Sequence, residues 1–173
     1  YRNAVTDYCA YMRRKYDLKQ DENALYELFG RYLGEAVTLY DDVLPVLKML
    51  KGYFVLCAAS NALSDCQRPR LRAMGIRFDH IFLSEEIGTI KPAQAFFRKA
   101  AQAVGCETAE CMMVGDSLSS DIAGAQKAGM KTCWINRAGR ALSGEIQPDA
   151  VIQNLHQLLE IKEIREGFQN DRI

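Results

Sequence analysis

The 173-residue sequence has no surplus charge of either sign: 22 Lys and Arg stand against 22 Asp and Glu. Nothing in that balance recruits a nucleic acid polymer or an anionic membrane surface. No apolar run approaches the ~20 residues that a membrane span needs. The opening Tyr1-Arg2-Asn3-Ala4 has no initiator Met and matches neither a signal peptide nor a transit peptide. Histidine is scarce, and His80 and His156 lie at no metal-ligand spacing, which leaves them structural roles. None of the six cysteines forms a Cys-x-x-Cys pair, and Cys57, Cys111 and Cys133 lie inside apolar runs. Reduced thiols in a cytoplasmic protein are therefore expected, rather than a disulfide framework or a zinc site. Internal repeats and low-complexity stretches are also missing.

What is present suffices for one globular domain, or a domain with a small insert: 49% of residues are hydrophobic and 25% charged. Val5, Tyr8, Met12 and Tyr16 recur at helical spacing and predict a helix over 1–19. Asp21 is the expected N-cap of a second helix with Leu25, Leu28, Phe29, Tyr32 and Leu33 as its apolar stripe. These two helices, residues 1–38, have no strand between them and stand apart from the rest of the chain. Over 39–173 the pattern becomes helix 43–50, strand 53–58, a helix through Leu71 and Met74, strand 80–83, and a loop 84–91. Pro92 then opens a helix to Val104. Strand 111–114, helix 120–128, strand 132–135, strand 150–152 and helix 155–161 complete it, and the charged tail 162–173 is expected to fray. Strands that are solid apolar runs alternating with helices predict an α/β fold, a three-layer Rossmann-like parallel sheet.

The chemistry concentrates at strand ends. Gly115-Asp116 closes one strand, and Asp121 comes five residues later at the start of a helix of small residues. Ligands of open α/β sheets sit at such C-terminal strand ends. Two acids there point to a hard cation such as Mg²⁺. Asp116 could instead be a helix N-cap, but Ser119 or Ser120 can cap that helix. Asp121 alone could merely complement the helix dipole; beside Asp116 it is a candidate second acid. Lys91 precedes Pro92 at a helix start, where the dipole disfavours a cation. A phosphate bound between Lys91 and free N–H groups would account for it. Ser60-Asn61 ends another strand as a common turn that could equally hold a phosphate oxygen. Asn136 fits a turn residue and Trp134 a core residue.

Taken together, Ser60-Asn61, Gly88-x-x-Lys91-Pro92, and Gly115-Asp116-Ser117-x-x-x-Asp121-Ile122 with Ala125-x-x-Ala128-Gly129 resemble motifs II, III and IV of the haloacid-dehalogenase-like (HAD) hydrolases, over about residues 39–161. Residues 1–38 resemble the C-terminal part of the α-helical cap of subfamily I. The segments 83–88 and 132–136 look like the 5′-nucleotidase branch. The resemblance implies Mg²⁺-dependent hydrolysis of a small-molecule phosphate ester. It makes Asp116 and Asp121 the metal residues, Ser60, Asn61 and Lys91 the phosphate-binding ones, and Lys91 and Asp116 the catalytic ones. Gly115-Asp116 argues against the metal-free dehalogenase branch and against the sugar-phosphate mutases.

The family's first motif, an Asp-x-Asp after the central strand, has no counterpart here: Asp41-Asp42 precedes a helix and is preceded by no apolar strand. That motif supplies the nucleophile, so the 173 residues alone are expected to be inactive. The expectation is a chain beginning inside the cap of a longer phosphatase, with the core lacking its first, central strand. The alternative is an inactive relative that keeps a phosphate site for binding or regulation.

Overall fold

The computed structural model describes residues 2–35, 37–142 and 144–169. Two helices come first, α1 (Arg2–Tyr16) and α2 (Glu22–Glu35). Asp21 Oδ1 accepts a hydrogen bond from the Ala24 N–H at 2.8 Å, the expected cap. Helix α2 packs on α1 and on α4 (Ser64–Ala73). At Gly30 the two helices are close enough that a Cβ would just touch Cys66 Sγ, at 3.4 Å. The order then runs α3 (Val43–Leu50), β1 (Cys57–Ser60), α4, β2 (His80–Leu83), α5 (Ser84–Ile87) and α6 (Gln94–Val104). After it come β3 (Met112–Gly115), a wide π-type turn (Leu118–Ile122), α7 (Ala123–Ala128), β4 (Lys131–Ile135), β5 (Ala150–Ile152), a 3-10 segment (Leu155–Glu160) and α8 (Lys162–Gly167).

All strand pairs are parallel. Solid apolar strands with helices on both faces give this topology. The pleat shows it within β3: Met112 and Val114 point into one core with Val46, Leu50, Cys133, Ile152, Leu158 and Ile164. Met113, between them, points into the opposite core with Phe96, Phe97, Ala125 and Ala128. Helices α3 and α8 therefore cover one face, and α6 and α7 the other. This is the three-layer α/β arrangement expected from the sequence. The strands form two groups, β1–β2 and β3–β4–β5, and among the described residues no strand joins β1 to β3.

Several expected boundaries move, each for a physical reason. The run 53–58 is strand only at its end, because Tyr53 and Phe54 fold back onto α3, both N–H groups reaching the Leu50 carbonyl at 3.1 Å. Their rings then meet Phe168 edge-on, at 5.0 and 5.7 Å between centroids. The tail is correspondingly not frayed over the described residues: α8 buries Ile164 in the core. Residues 170–173 lie outside the described residues. Helix α6 starts two residues after Pro92, which sits in the preceding turn, and 84–87 is a helical turn rather than loop. The final apolar helix is a 3-10 segment capped by Asn154.

Candidate active site

The C-terminal ends of β1 and β3 and the loop before α6 converge. Lys91 is the meeting point. Its Nζ donates to the Ala59 carbonyl at 2.8 Å and pairs with Asp121 Oδ1 at 2.7 Å. Both charged side chains are 8% exposed. The pair thus links the β1 side of the site to the β3 side. An ammonium has three N–H donors, so one remains for a ligand.

Asn61 fixes the loop that carries Lys91. Its amide Nδ2 donates to the Lys91 carbonyl at 2.9 Å, and its Oδ1 accepts from the Lys91 N–H at 2.8 Å. The Asn61 side chain thus holds the loop with its oxygen and one amide N–H, which leaves the second amide N–H and the backbone N–H for an anion. Ser60, next to it, is half-buried, and its hydroxyl has no partner among the described residues.

Asp121 is held as firmly. Its Oδ2 accepts from the Ser117 N–H at 3.1 Å while Oδ1 faces Lys91. Two glycines make room for this. A Cβ on Gly115 would lie 2.5 Å from Asp121 Oδ2, and one on Gly124 would lie 2.6 Å from the Phe97 ring and 2.7 Å from the Pro92 carbonyl. Gly124 lets the start of α7 close against the Lys91-Pro92 loop. The wide turn ahead of α7 begins with Ser117 as N-cap, Oγ accepting from the Ser120 N–H at 3.2 Å. Ser117, not Ser119 or Ser120, is the cap. Asp116 is therefore free of capping duty.

Asp116 is exposed, and its carboxylate has no hydrogen bond or ion pair among the described residues. Its backbone is the opposite. The Asp116 carbonyl accepts from the Trp134 indole Nε1 at 3.1 Å and from the Arg140 guanidinium at 3.0 Å. Trp134 is core, as expected, but it also reaches this carbonyl. Asn136 is a turn residue, as expected, and it grips the Arg140 backbone.

The Lys91–Asp121 pair is neutral overall, and at the end of β3 the Asp116 carboxylate is accompanied by the Arg140 guanidinium on its own carbonyl. A phosphate dianion would therefore bring uncompensated negative charge, which a divalent cation would offset. Asp116 fits such an ion: an exposed, unpartnered oxygen ligand at a strand end. Among the described residues no cluster of three or more His, Cys, Asp or Glu could hold a metal. Mg²⁺ does not need one, since it keeps several waters and takes one or two carboxylates plus substrate phosphate. Asp121 has one contact on each oxygen, which leaves acceptor capacity to support metal-bound water or to join the ion.

Of the five residues singled out in the sequence, Asn61, Lys91 and Asp121 are joined by hydrogen bonds and an ion pair. Ser60 precedes Asn61, and Asp116 precedes Ser117, whose N–H donates to Asp121; among the described residues neither of these two side chains is bonded to the others. The account of Lys91 changes. Its charge is met by Asp121 and the Ala59 carbonyl, and α6 begins three residues further on. Gly124, Ser117, Trp134 as a donor and Arg140 were not expected. Gly124 had a signal in the run of small residues, and Arg140 had none.

The haloacid dehalogenase-like hydrolase family matches residues 6–129 of the chain. The chain belongs to this family. It is 33% identical over 154 residues to the HAD-hydrolase YfnB of Bacillus subtilis, covering 87% of this chain and 66% of YfnB. The solved YfnB structure, bound to magnesium, superposes with a TM-score of 0.77 at 32% identity, over 90% of this chain and 69% of that one. Pyrimidine 5′-nucleotidase YjjG of Escherichia coli is 32% identical over 144 residues, 82% of this chain and 64% of YjjG. A 2-haloacid dehalogenase from Pseudomonas syringae pv. tomato is 35% identical, with a TM-score of 0.64 over 72% of this chain and 53% of that one. The chain spans between 40% and 66% of the length of these and other curated relatives it matches. No described helix is long and apolar enough to cross a membrane.

Proposed function

We propose that this chain forms the phosphate- and metal-binding part of a Mg²⁺-dependent phosphatase acting on small phosphate monoesters, a nucleoside monophosphate above all. The observation that carries the reading is the buried Lys91–Asp121 pair together with an unpartnered Asp116 carboxylate just after β3. The remaining Lys91 N–H, the Ser60 hydroxyl and the Asn61 N–H would hold phosphoryl oxygens. Ala59 and Asp121 keep the ammonium in place, so its charge needs no reorganisation as negative charge shifts during transfer. Asp116 would hold Mg²⁺, which supplies charge neutralisation at the phosphoryl oxygens. The attacking carboxylate, forming an aspartyl-phosphate, would come from upstream of these 173 residues.

The substrate class draws support from the likeness to YjjG and from the segments 83–88 and 132–136. An unpartnered Asp116 carboxylate just after β3 favours the metal-dependent reading over a metal-free dehalogenase. The test is hydrolysis of p-nitrophenyl phosphate and of nucleoside monophosphates by a protein extended upstream of Tyr1. Expected is turnover with Mg²⁺, lost on chelation and in Asp116→Asn, and none by the 173 residues alone. Turnover that survives chelation, or binding without turnover in the extended protein, would overturn the reading, the second in favour of an inactive binding protein.

A further inference from the structure

Asp116 joins a carboxylate with no partner to a carbonyl with two. Both donors to that carbonyl are anchored. Trp134 lies in β4, paired in register with Gly115, and is 1% exposed. Arg140 lies on an exposed turn, yet its backbone is gripped from both sides by Asn136: Nδ2 donates to the Arg140 carbonyl at 2.8 Å, and Oδ1 accepts from the Arg140 N–H at 2.9 Å. Asn136 is itself buried, with its N–H on the Ile152 carbonyl of β5 at 2.6 Å. The Arg140 guanidinium also lies over the Trp134 ring, 5.6 Å from its centroid.

A peptide carbonyl has two lone pairs, and here both are used. The peptide after Asp116 is therefore fixed, and with it the direction in which the side chain leaves the backbone. We propose that Arg140 is a positioning residue that aims the Asp116 carboxylate at the metal through this carbonyl, with Asn136 as its anchor. The inference rests on the reading of Asp116 as a metal ligand. Arg140 does not touch the ion or the substrate. It lowers the conformational freedom that Asp116 would otherwise lose on binding.

The experiment is calorimetric titration of Mn²⁺ and Mg²⁺ into the full-length protein carrying this chain. Wild type would be compared with Arg140→Ala, Arg140→Lys, Asn136→Ala and Asp116→Asn, together with melting curves in chelator. Expected is about a tenfold loss of metal affinity in Arg140→Ala, the low end for residues that orient a ligand from behind. Arg140→Lys keeps one donor and should recover part of it. The metal-free melting temperature of Arg140→Ala should stay close to wild type, because the residue is exposed. Asn136→Ala should follow Arg140→Ala in affinity. Metal affinity within twofold of wild type in folded Arg140→Ala overturns the positioning role. A loss of affinity that only tracks a fall in metal-free stability assigns Arg140 a structural role and overturns it too. Unchanged affinity in Asp116→Asn overturns the metal reading itself, and the positioning role with it.

Discussion

Lys91 Nζ and Asp121 Oδ1 stand 2.7 Å apart at 8% exposure each, and the same ammonium donates to the Ala59 carbonyl of β1. A buried pair of this kind contributes little against an apolar replacement of both partners but is costly to halve. Lys91→Met and Asp121→Asn are each expected to destabilise by about 3 kcal/mol, read as urea midpoints. The double variant should lose clearly less than the sum, and additive losses would show that the two charges do not depend on each other.

Gly124 predicts a sterically driven loss. A Cβ there would sit 2.6 Å from Phe97 Cε2 and 2.7 Å from the Pro92 carbonyl oxygen, and the second contact is backbone. Gly124→Ala is expected to cost about 2 kcal/mol, although Ala favours helices over Gly. It should also weaken catalysis in the extended protein by displacing Asp121 from Lys91. Denaturant unfolding and phosphatase assays check the two effects.

Asp42 gives a pH dependence. Its carboxylate takes a bidentate pair from Arg137, both bonds 2.9 Å, and also accepts from the Leu155 N–H. The Arg137 guanidinium holds the Asp42 carboxyl below the usual carboxylate range, with burial opposing it. A folded pKa below the unfolded one means stabilisation that is complete above about pH 4 and lost as pH falls through the folded pKa. Asp42→Asn should cost about 2 kcal/mol at pH 7. The gap to wild type should narrow as the pH is lowered below 4, provided both still fold there. Urea titrations across pH measure it, and a gap constant with pH would contradict it.

The C-terminal helix gives a fourth. Ile164 is 8% exposed, and Phe168 meets the rings of Tyr53 and Phe54. Ile164→Ala is expected to cost about 2 kcal/mol. Removing residues 162–173 should cost more, because Phe54 and Leu158 would lose their cover. Thermal melts decide, and an unchanged midpoint would restore the frayed tail.

These outcomes trace what could be read from the chain. The runs 80–83 and 150–152 coincide with β2 and β5 to the residue, although Val151 is 48% exposed. Residues 53–56 imitated a strand because aromatic rings that stack on a distant helix look the same in sequence as rings inside a sheet. The tail hid its helix for the converse reason: Ile164 and Phe168 are two apolar residues among charges, and only their partners at 53–54 reveal them. The candidate residues stood out because each put a polar or charged side chain at a strand end or a helix start. Their division of labour did not. That Asn61 would spend its side chain on a peptide, or that Arg140 would reach 24 residues back to Asp116, depends on tertiary distance, which spacing does not encode.

Asn61 grips residue 91 only through its backbone N–H and carbonyl. The position of the loop and the charge it carries are thus specified by different side chains. A neutral residue at 91 would inherit both Asn61 bonds without the ammonium that meets Asp121, so one substitution in a descendant would remove the charge while the backbone path stayed recognisable. A change at 61 would do the reverse, keeping the ammonium in the chain but leaving its loop without an address.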